Sequence, residues 1–470
     1  LKKQFFSIAL AAALFFGPQV FADEKDFNVS GCAGFQFTRL QAWKFWGGYQ
    51  FPRNYNNVVI DLIVDRTITP HFSIHAGVEA FMWFNTHDLV SGKFGLYQPA
   101  MGENSAYLFQ AENVLTFDED NLFRIPNDVF KGEIHMGYFP YKYNPDVRNL
   151  GEYLFRSGTY PGWLRTISFV PEARLTGLLI STTAFNTWKN DLLVTTEMDM
   201  YPFYDLSYTL ISSIKVGRVL DIGGGIDLSR LTPANGKLTR REKDQNNNPC
   251  PFYMKNLVTV WDTIAGTLDT ISGDTAGYYT FAGTKIMGRL SIDLKGFLPE
   301  GAASIFGEND GKIYGEFDIL GLENQGDYYK KLSERIPVTF GFNVPTFKLF
   351  DVLSCEFEYY TNPYPNNYRF QVMAMLPKYG GTPAPDDQTD YENGFTKIPG
   401  IDYNWSWYQH DSWKWSVYFK KSIGKNYSIR GLAARDHLRN MSNSLTARDY
   451  DESLTKTNQW YWALRFISTW

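Results

Sequence analysis

Residues 58–84 read VVIDLIVDRTITPHFSIHAGVEAFMWF. Val58, Ile60, Leu62 and Val64 take every second place, with Asp61 and Asp65 between them. After a turn at Thr69-Pro70, Phe72, Ile74, Ala76, Val78, Ala80 and Met82 alternate with His71, Ser73, His75 and Glu79. A period of two is that of a β-strand, whose successive side chains point to opposite faces. The stretch is therefore a hairpin with one apolar and one ionisable face, and the apolar face must meet something apolar.

The same alternation recurs along the chain. Ile134, Met136 and Tyr138 alternate with Glu133 and His135, and Ile286, Leu290 and Ile292 with Lys285, Arg289 and Asp293. Phe317 and Ile319 alternate with Glu316 and Asp318, and Trp413, Trp415 and Val417 with Lys414 and Ser416. A soluble sandwich would bury such stripes between two sheets. Length argues for a membrane instead: the candidate strands run about 10 to 13 residues, enough for a tilted bilayer crossing. The connections also alternate between short and long. Short ones lie near Thr69-Pro70, Asn186 to Asp191, Gly217-Arg218, Val344 to Phe347 and Gly424 to Asn426; long ones cover 86–104, 141–174, 231–276, 363–410 and 438–457.

Strands fall near 31–41, 56–67, 71–85, 105–117, 130–140, 175–186, 190–201, 205–216, 219–230, 277–296, 311–320, 335–344, 350–361, 411–422, 426–437 and 458–470. We therefore expect an all-β fold, a transmembrane antiparallel β-barrel of about sixteen strands, or about fourteen to eighteen if a hairpin is miscounted. With both termini on the periplasmic side, an even count places every long connection on the outer face and every short one on the inner face.

Composition narrows the function classes. The net charge of −5 leaves no basic footprint for nucleic acid. Three cysteines, Cys32, Cys250 and Cys355, are too sparse for a disulfide framework or a thiolate zinc cluster. Residues 1–22 read as a secretory signal peptide, with Lys2 and Lys3 before an apolar run and Ala22 at the cleavage site, so that 23–470 is the exported barrel. Val29 to Cys32 imitates a lipoprotein box but is separated from the apolar run by Asp23, Glu24, Lys25 and Asp26.

At the C-terminus Trp460, Trp462, Leu464, Phe466 and Trp470 share one face of a last strand. This resembles the terminal signal by which Gram-negative outer-membrane proteins are recognised for insertion, with Trp462, Leu464, Phe466 and Trp470 as its apolar positions. The resemblance implies an outer-membrane location, outer-membrane lipids as surroundings and the insertion machinery as a partner.

The connection 141–174, between the fifth and sixth strands, holds Asn144 and Pro145 as a helix start, with Val147, Leu150 and Leu154 on one face. In position it resembles the third outer loop of the general diffusion porins, which folds into the lumen between strands five and six as a constriction. The resemblance implies an inward-folding loop and leaves open whether the assembly is a homotrimer. The acidic cluster of the porin loop is missing. Arg148, Arg156 and Arg165, with Glu152, are the expected constriction groups, facing the wall carboxylates Glu133, Glu316 and Glu356.

Val219 to Gly225 imitates a glycine-rich cofactor motif, but Ile226 and Leu228 continue the strand alternation and no helix follows. The histidines show no constellation with a nucleophile, so no catalytic residues, cofactor or metal ligands are assigned and no enzyme activity is expected. Tyr403, Trp405 and Trp407 form an aromatic group at a loop, suited to a membrane-interface girdle or to stacking on saccharide rings. The expected function is passive passage of small hydrophilic solutes, saccharides among them. The alternative is an adhesion or polymer-binding protein with the barrel as its anchor.

Overall fold

The computed structural model describes residues 27–41, 54–84, 105–117, 126–156, 173–196, 206–232, 283–322, 332–361, 412–437, 454 and 457–470. These residues form sixteen strands: β1 (Phe27–Gln41), β2 (Asn54–Thr69), β3 (Phe72–Phe84), β4 (Ser105–Phe117), β5 (Phe130–Tyr141), β6 (Ala173–Ala184), β7 (Trp188–Thr196) and β8 (Leu206–Val216) make the first half. The second half comprises β9 (Leu220–Thr232), β10 (Gly283–Asp293), β11 (Lys312–Ile319), β12 (Val338–Asn343), β13 (Val352–Tyr359), β14 (Trp413–Ile423), β15 (Tyr427–Arg435) and β16 (Trp460–Thr469). Each strand pairs antiparallel with its sequence neighbours, and β1 pairs with β16 to close the barrel. Closure removes the open edges that would otherwise leave backbone groups unpaired in lipid. Each of the sixteen expected strands is present; the ends differ by a few residues, most at β10.

The register carries the membrane argument. Ile134, Ile180, Leu192, Leu210, Ile226, Ile286 and Ile319 stand side by side across β5 to β11, each directly opposite the next. Leu210 is 48% exposed and Leu192 43%, whereas Asp227 and Asp318, one residue out of phase on neighbouring strands, are 3% and 0% exposed. Apolar side chains thus point outward and ionisable ones inward, the reverse of a water-soluble sandwich. An exterior of this kind is stable against hydrocarbon, while the inward groups require water or one another.

The connections sort by end. Among the described residues, one end carries 70–71, 126–129, 185–187, 217–219, 294–311, 344–351 and 424–426; the other carries 320–322, 332–337, 360–361 and 436–437. The glycine-rich stretch lies in the turn and in β9, continuous with its neighbours. Gly223 has a packing reason: a Cβ there would meet Arg289 Nε at 2.6 Å, and the bare backbone lets Arg289 lie flat and reach Asp221 at 3.0 Å. At the terminus Trp470 exchanges backbone hydrogen bonds with Gly31, extending the closure by one residue.

Candidate functional site

Beyond Tyr141 the chain turns into the barrel. Tyr141 itself donates to Asp191 on β7 at 2.7 Å. Residues 142–156 then run past the inward side chains of β10 to β13. The expected helix from Asn144 is not formed; one helical turn, Tyr153–Arg156, is all that appears. Asn144 Oδ1 accepts the Asp146 amide at 3.4 Å, a local turn, and its Nδ2 donates to Glu316 at 2.6 Å. Gly151 (φ 99°) and Glu152 (φ 61°) are left-handed, which breaks any helix there. A side chain at Gly151 would also crowd Val147 at 3.0 Å, so glycine is required on both counts.

The physical reason is competition for amides. Buried N–H groups need acceptors, and an ionised carboxylate is a stronger one than a helical carbonyl. Glu356 on β13 takes the amides of Arg148, of Asn149 at 2.8 Å and of Leu150 at 2.9 Å, and also the Tyr314 hydroxyl at 3.0 Å. Glu316 on β11 takes the amides of Glu152 at 2.6 Å and Tyr153 at 3.3 Å, with the Tyr143 hydroxyl at 2.8 Å. Farther along, Tyr153 donates to Glu358 at 2.5 Å, and Asn149 to Asp436 at 2.7 Å. The wall thus fixes the segment mainly through its backbone. In a barrel of sixteen strands, β13 lies eight strands from β5, half the circumference.

The other side of the segment is apolar. Leu154 packs with Phe139, Leu179, Leu193, Ile211 and Met287, inward residues of β5, β6, β7, β8 and β10, and Phe155 sets its ring edge-on to Tyr141 at 5.5 Å. Burying Leu154 contributes about 1.5–3 kcal/mol to docking. Lys285 caps the same turn by donating to the Leu154 carbonyl at 3.1 Å. Sequence reasoning missed this inward apolar patch. Its signal is nevertheless present, since Leu178-Leu179-Ile180 and Leu192-Leu193-Val194 are apolar runs inside otherwise alternating strands.

Electrostatics hold the segment in place. Burial works to raise the Asp146 carboxyl, but Lys312, 3.1 Å away, and a hydrogen bond from Ser291 outweigh it and keep the group below its ordinary value. Burial, with Asp318 and Glu316 beside Tyr143 and Glu358 beside Tyr153, pushes both phenols well above their ordinary range, so both remain donors.

The anticipated groups are distributed differently from the expected arrangement. The Arg148 guanidinium meets Asn309 Oδ1 at 3.1 Å and the Pro145 carbonyl at 3.3 Å; it pairs with neither Glu316 nor Glu356, whose oxygens are occupied by amides and hydroxyls. Glu152 is buried and accepts the Asn144 amide at 2.7 Å, closing the turn on itself. Glu133 is held by His135 at 3.2 Å on β5. Arg156 ends the helical turn by its backbone, while Arg165, Tyr403, Trp405 and Trp407 lie outside the described residues. Trp462, Leu464 and Phe466 share the outward face of β16, and Trp470 is 54% exposed.

The lumen is divided. Against the segment, the Lys285 and Asp227 side chains are 2% and 4% exposed. On β2, β3 and β5 some inward side chains are wetter: Asp65 is 30% exposed, His75 27% and Glu133 54%. These belong to an acid and imidazole ladder, with His75 on Asp65 at 2.6 Å and His135 on Glu112 at 2.7 Å, which sequence reading had not assembled.

No protein-family profile matches the chain, and no curated protein matches it. Solved structures similar to it include OprB of Pseudomonas putida, at 9% identity and a TM-score of 0.46 over 95% of each chain. A mutant porin of Rhodopseudomonas blastica is similar at 6% identity and a TM-score of 0.40, covering 94% of this chain and 100% of that one.

Proposed function

We propose that this chain is a passive outer-membrane channel for small hydrophilic solutes, and that segment 142–156 bridges the lumen and sets its narrowest level. The observation that carries this reading is the docking of Asn149 and Leu150 on Glu356, half the barrel away from the strand that the segment leaves. The apolar exterior fits lipid, and a barrel of sixteen strands is wide enough to keep water beside a bridging segment. Inward acids and bases offer hydrogen bonds in place of hydration, so a polar solute crosses without entering hydrocarbon. Export by a signal at 1–22 and insertion through the aromatic terminus belong to the same proposal, as do outer-membrane lipids as its surroundings.

Swelling of liposomes carrying the refolded protein tests it. Neutral sugars of increasing size should enter at rates that fall steeply with size. Equal rates for liposomes with and without the folded barrel would exclude the channel.

A further inference from the structure

The end of the barrel that carries the tight turns also carries one long, built connection. Residues 294–311 join β10 to β11, where 185–187, 217–219 and 424–426 serve between other strands. Leu294–Phe297 is a single 3-10 turn, opened by Asp293, whose carboxylate accepts the Lys295 amide at 2.9 Å. A Cβ on Gly296 would stand 2.7 Å from the Arg218 carbonyl oxygen and from Val219 Cγ2, so this turn packs against the one between β8 and β9. Farther along, the buried Asp310 carboxylate accepts the Gly307 amide at 2.8 Å, the Phe347 amide at 3.0 Å and the Thr346 hydroxyl at 3.1 Å. That side chain ties the connection to the turn 344–351.

What this frame presents to its surroundings is apolar. Leu294, Phe297, Leu298, Ile305, Phe347 and Leu349 are exposed, Phe297 at 68%, Leu349 at 67% and Phe347 at 62%, against 48% for Leu210 on the lipid-facing wall. The rings of Phe306 and Phe347 lie 5.3 Å apart, so the two connections share one patch. Phe347 (φ 53°) and Lys348 (φ 70°) are both left-handed, the form of a tight turn that favours Asn-Gly, and the bond to Asp310 holds the Phe347 amide there.

The patch is continuous with the wall on both sides. Leu294 keeps the outward phase of Leu290 and Ile292, and its amide donates to the Gly311 carbonyl at 3.0 Å, one step beyond the last pair of β10 and β11. Phe350 packs on Phe419 at 5.4 Å, and Phe419 lies on the outward face of β14 with its ring over Gly431. Large apolar side chains fixed in this way would aggregate in water and are stable against acyl chains. Lys348, exposed between Phe347 and Leu349, has the place of a base that reaches headgroup phosphates while its neighbours sit deeper.

A second turn argues for lipid over a protein partner. Phe185 (φ 53°) and Asn186 (φ 53°) repeat the left-handed pair in 185–187, and Phe185 is likewise exposed. This turn joins β6 to β7, six strands around the barrel from the one that joins β12 to β13. A leaflet surrounds the barrel and meets both aromatics, whereas one docked partner covers one side.

We propose that 294–306, with Phe347 and Leu349, is a foot seated in the phospholipid leaflet at this end, an interfacial element added to the spanning strands, with Lys348 at the headgroup phosphates. The inference rests on the membrane-spanning fold and is independent of the channel reading.

The test is collision accessibility of a nitroxide label on the folded full chain in liposomes of phosphatidylethanolamine and phosphatidylglycerol. Cys32→Ser, Cys250→Ser and Cys355→Ser remove the native thiols, and Phe297→Cys or Phe347→Cys places the label. Leu210→Cys gives the mid-bilayer reading and Lys425→Cys the reading for water at the same end. Dissolved oxygen should outweigh an aqueous nickel chelate at both phenylalanine sites, at a depth of about 5–10 Å inside the headgroups. Chelate dominance at either site, as at Lys425, overturns the foot. Dipolar broadening between copies labelled at Phe347, removed by dilution with unlabelled chain, assigns the patch to a second copy and overturns it as well. Heat-modifiable migration reports whether each labelled chain is folded. Where the thiol-free chain is not, p-benzoylphenylalanine in place of Phe297 or Phe347 in the chain with its native cysteines decides the matter: phospholipid adducts on irradiation are expected, and chain-to-chain adducts or none contradict the foot. Lipid-seated labels on a folded barrel that does not conduct KCl leave the foot standing and remove the channel.

Discussion

The Leu150 amide donates to the Glu356 carboxylate at 2.9 Å, although the segment carrying Leu150 leaves β5 and Glu356 stands on β13, on the opposite side of the barrel. One side chain therefore holds the far end of a bridge. Glu316 holds its near end, through Tyr143, Asn144, Glu152 and Tyr153.

Removing the far anchor should release the bridge. In Glu356→Ala three amides and a tyrosine hydroxyl lose their acceptor, and each buried donor left unpaired costs about 1–3 kcal/mol. Hydrogen exchange at 148–150 should rise by at least tenfold while the barrel strands stay protected. Unchanged protection of those three amides would show that Glu356 is not what holds them.

Acid should loosen the near rim at a definable point. Asp146 sits below its ordinary value of 3.8, so its pairing with Lys312 is fully present above that pH and is lost as pH falls through the lower folded-state value. Conductance should therefore be flat from neutral pH down to about 4 with respect to this pair and change only below it. Asp146→Asn should lack that component. An identical low-pH response in parent and variant would remove Asp146 from the latch.

The two faces of β8 should respond oppositely to charge. Leu210 lies on the outward row between Leu192 and Ile226, whereas Ser213 faces the lumen. Leu210→Arg should cost about 2–4 kcal/mol in urea unfolding from lipid vesicles, the range for a cation near mid-bilayer. Ser213→Arg should cost far less. Equal losses would contradict the assignment of faces.

Closure at the terminus gives a third structural expectation. Trp470 exchanges backbone bonds with Gly31, and a Cβ at Gly31 would approach the Asp61 carbonyl at 2.5 Å and the Trp470 ring at 2.8 Å. Deleting Trp470 should lower the amount of heat-modifiable barrel recovered from membranes, and Gly31→Val should do the same with the terminus intact. Full recovery of both would show that this last pair is dispensable.

The strands were legible because lipid on one side and water on the other impose one alternation throughout, as in Val58 to Val64. The conformation of segment 142–156 was not legible. Asn144-Pro145 has the form of a helix start, yet the competing acceptors, Glu316 and Glu356, lie more than 160 residues later and reach the segment only once the barrel has closed. Arg148 was misplaced for the same reason, because the carboxylates assigned to it were already taken by backbone amides.

Single-channel recording in planar bilayers tests the central claim most directly. The parent should insert with discrete ion-conducting steps in KCl, and a variant in which both Glu316 and Glu356 are replaced by Ala should give steps of at least twofold higher conductance, because the bridge no longer narrows the lumen. A folded, heat-modifiable parent that inserts without conducting, or a double variant with the parent's step size, would contradict the account.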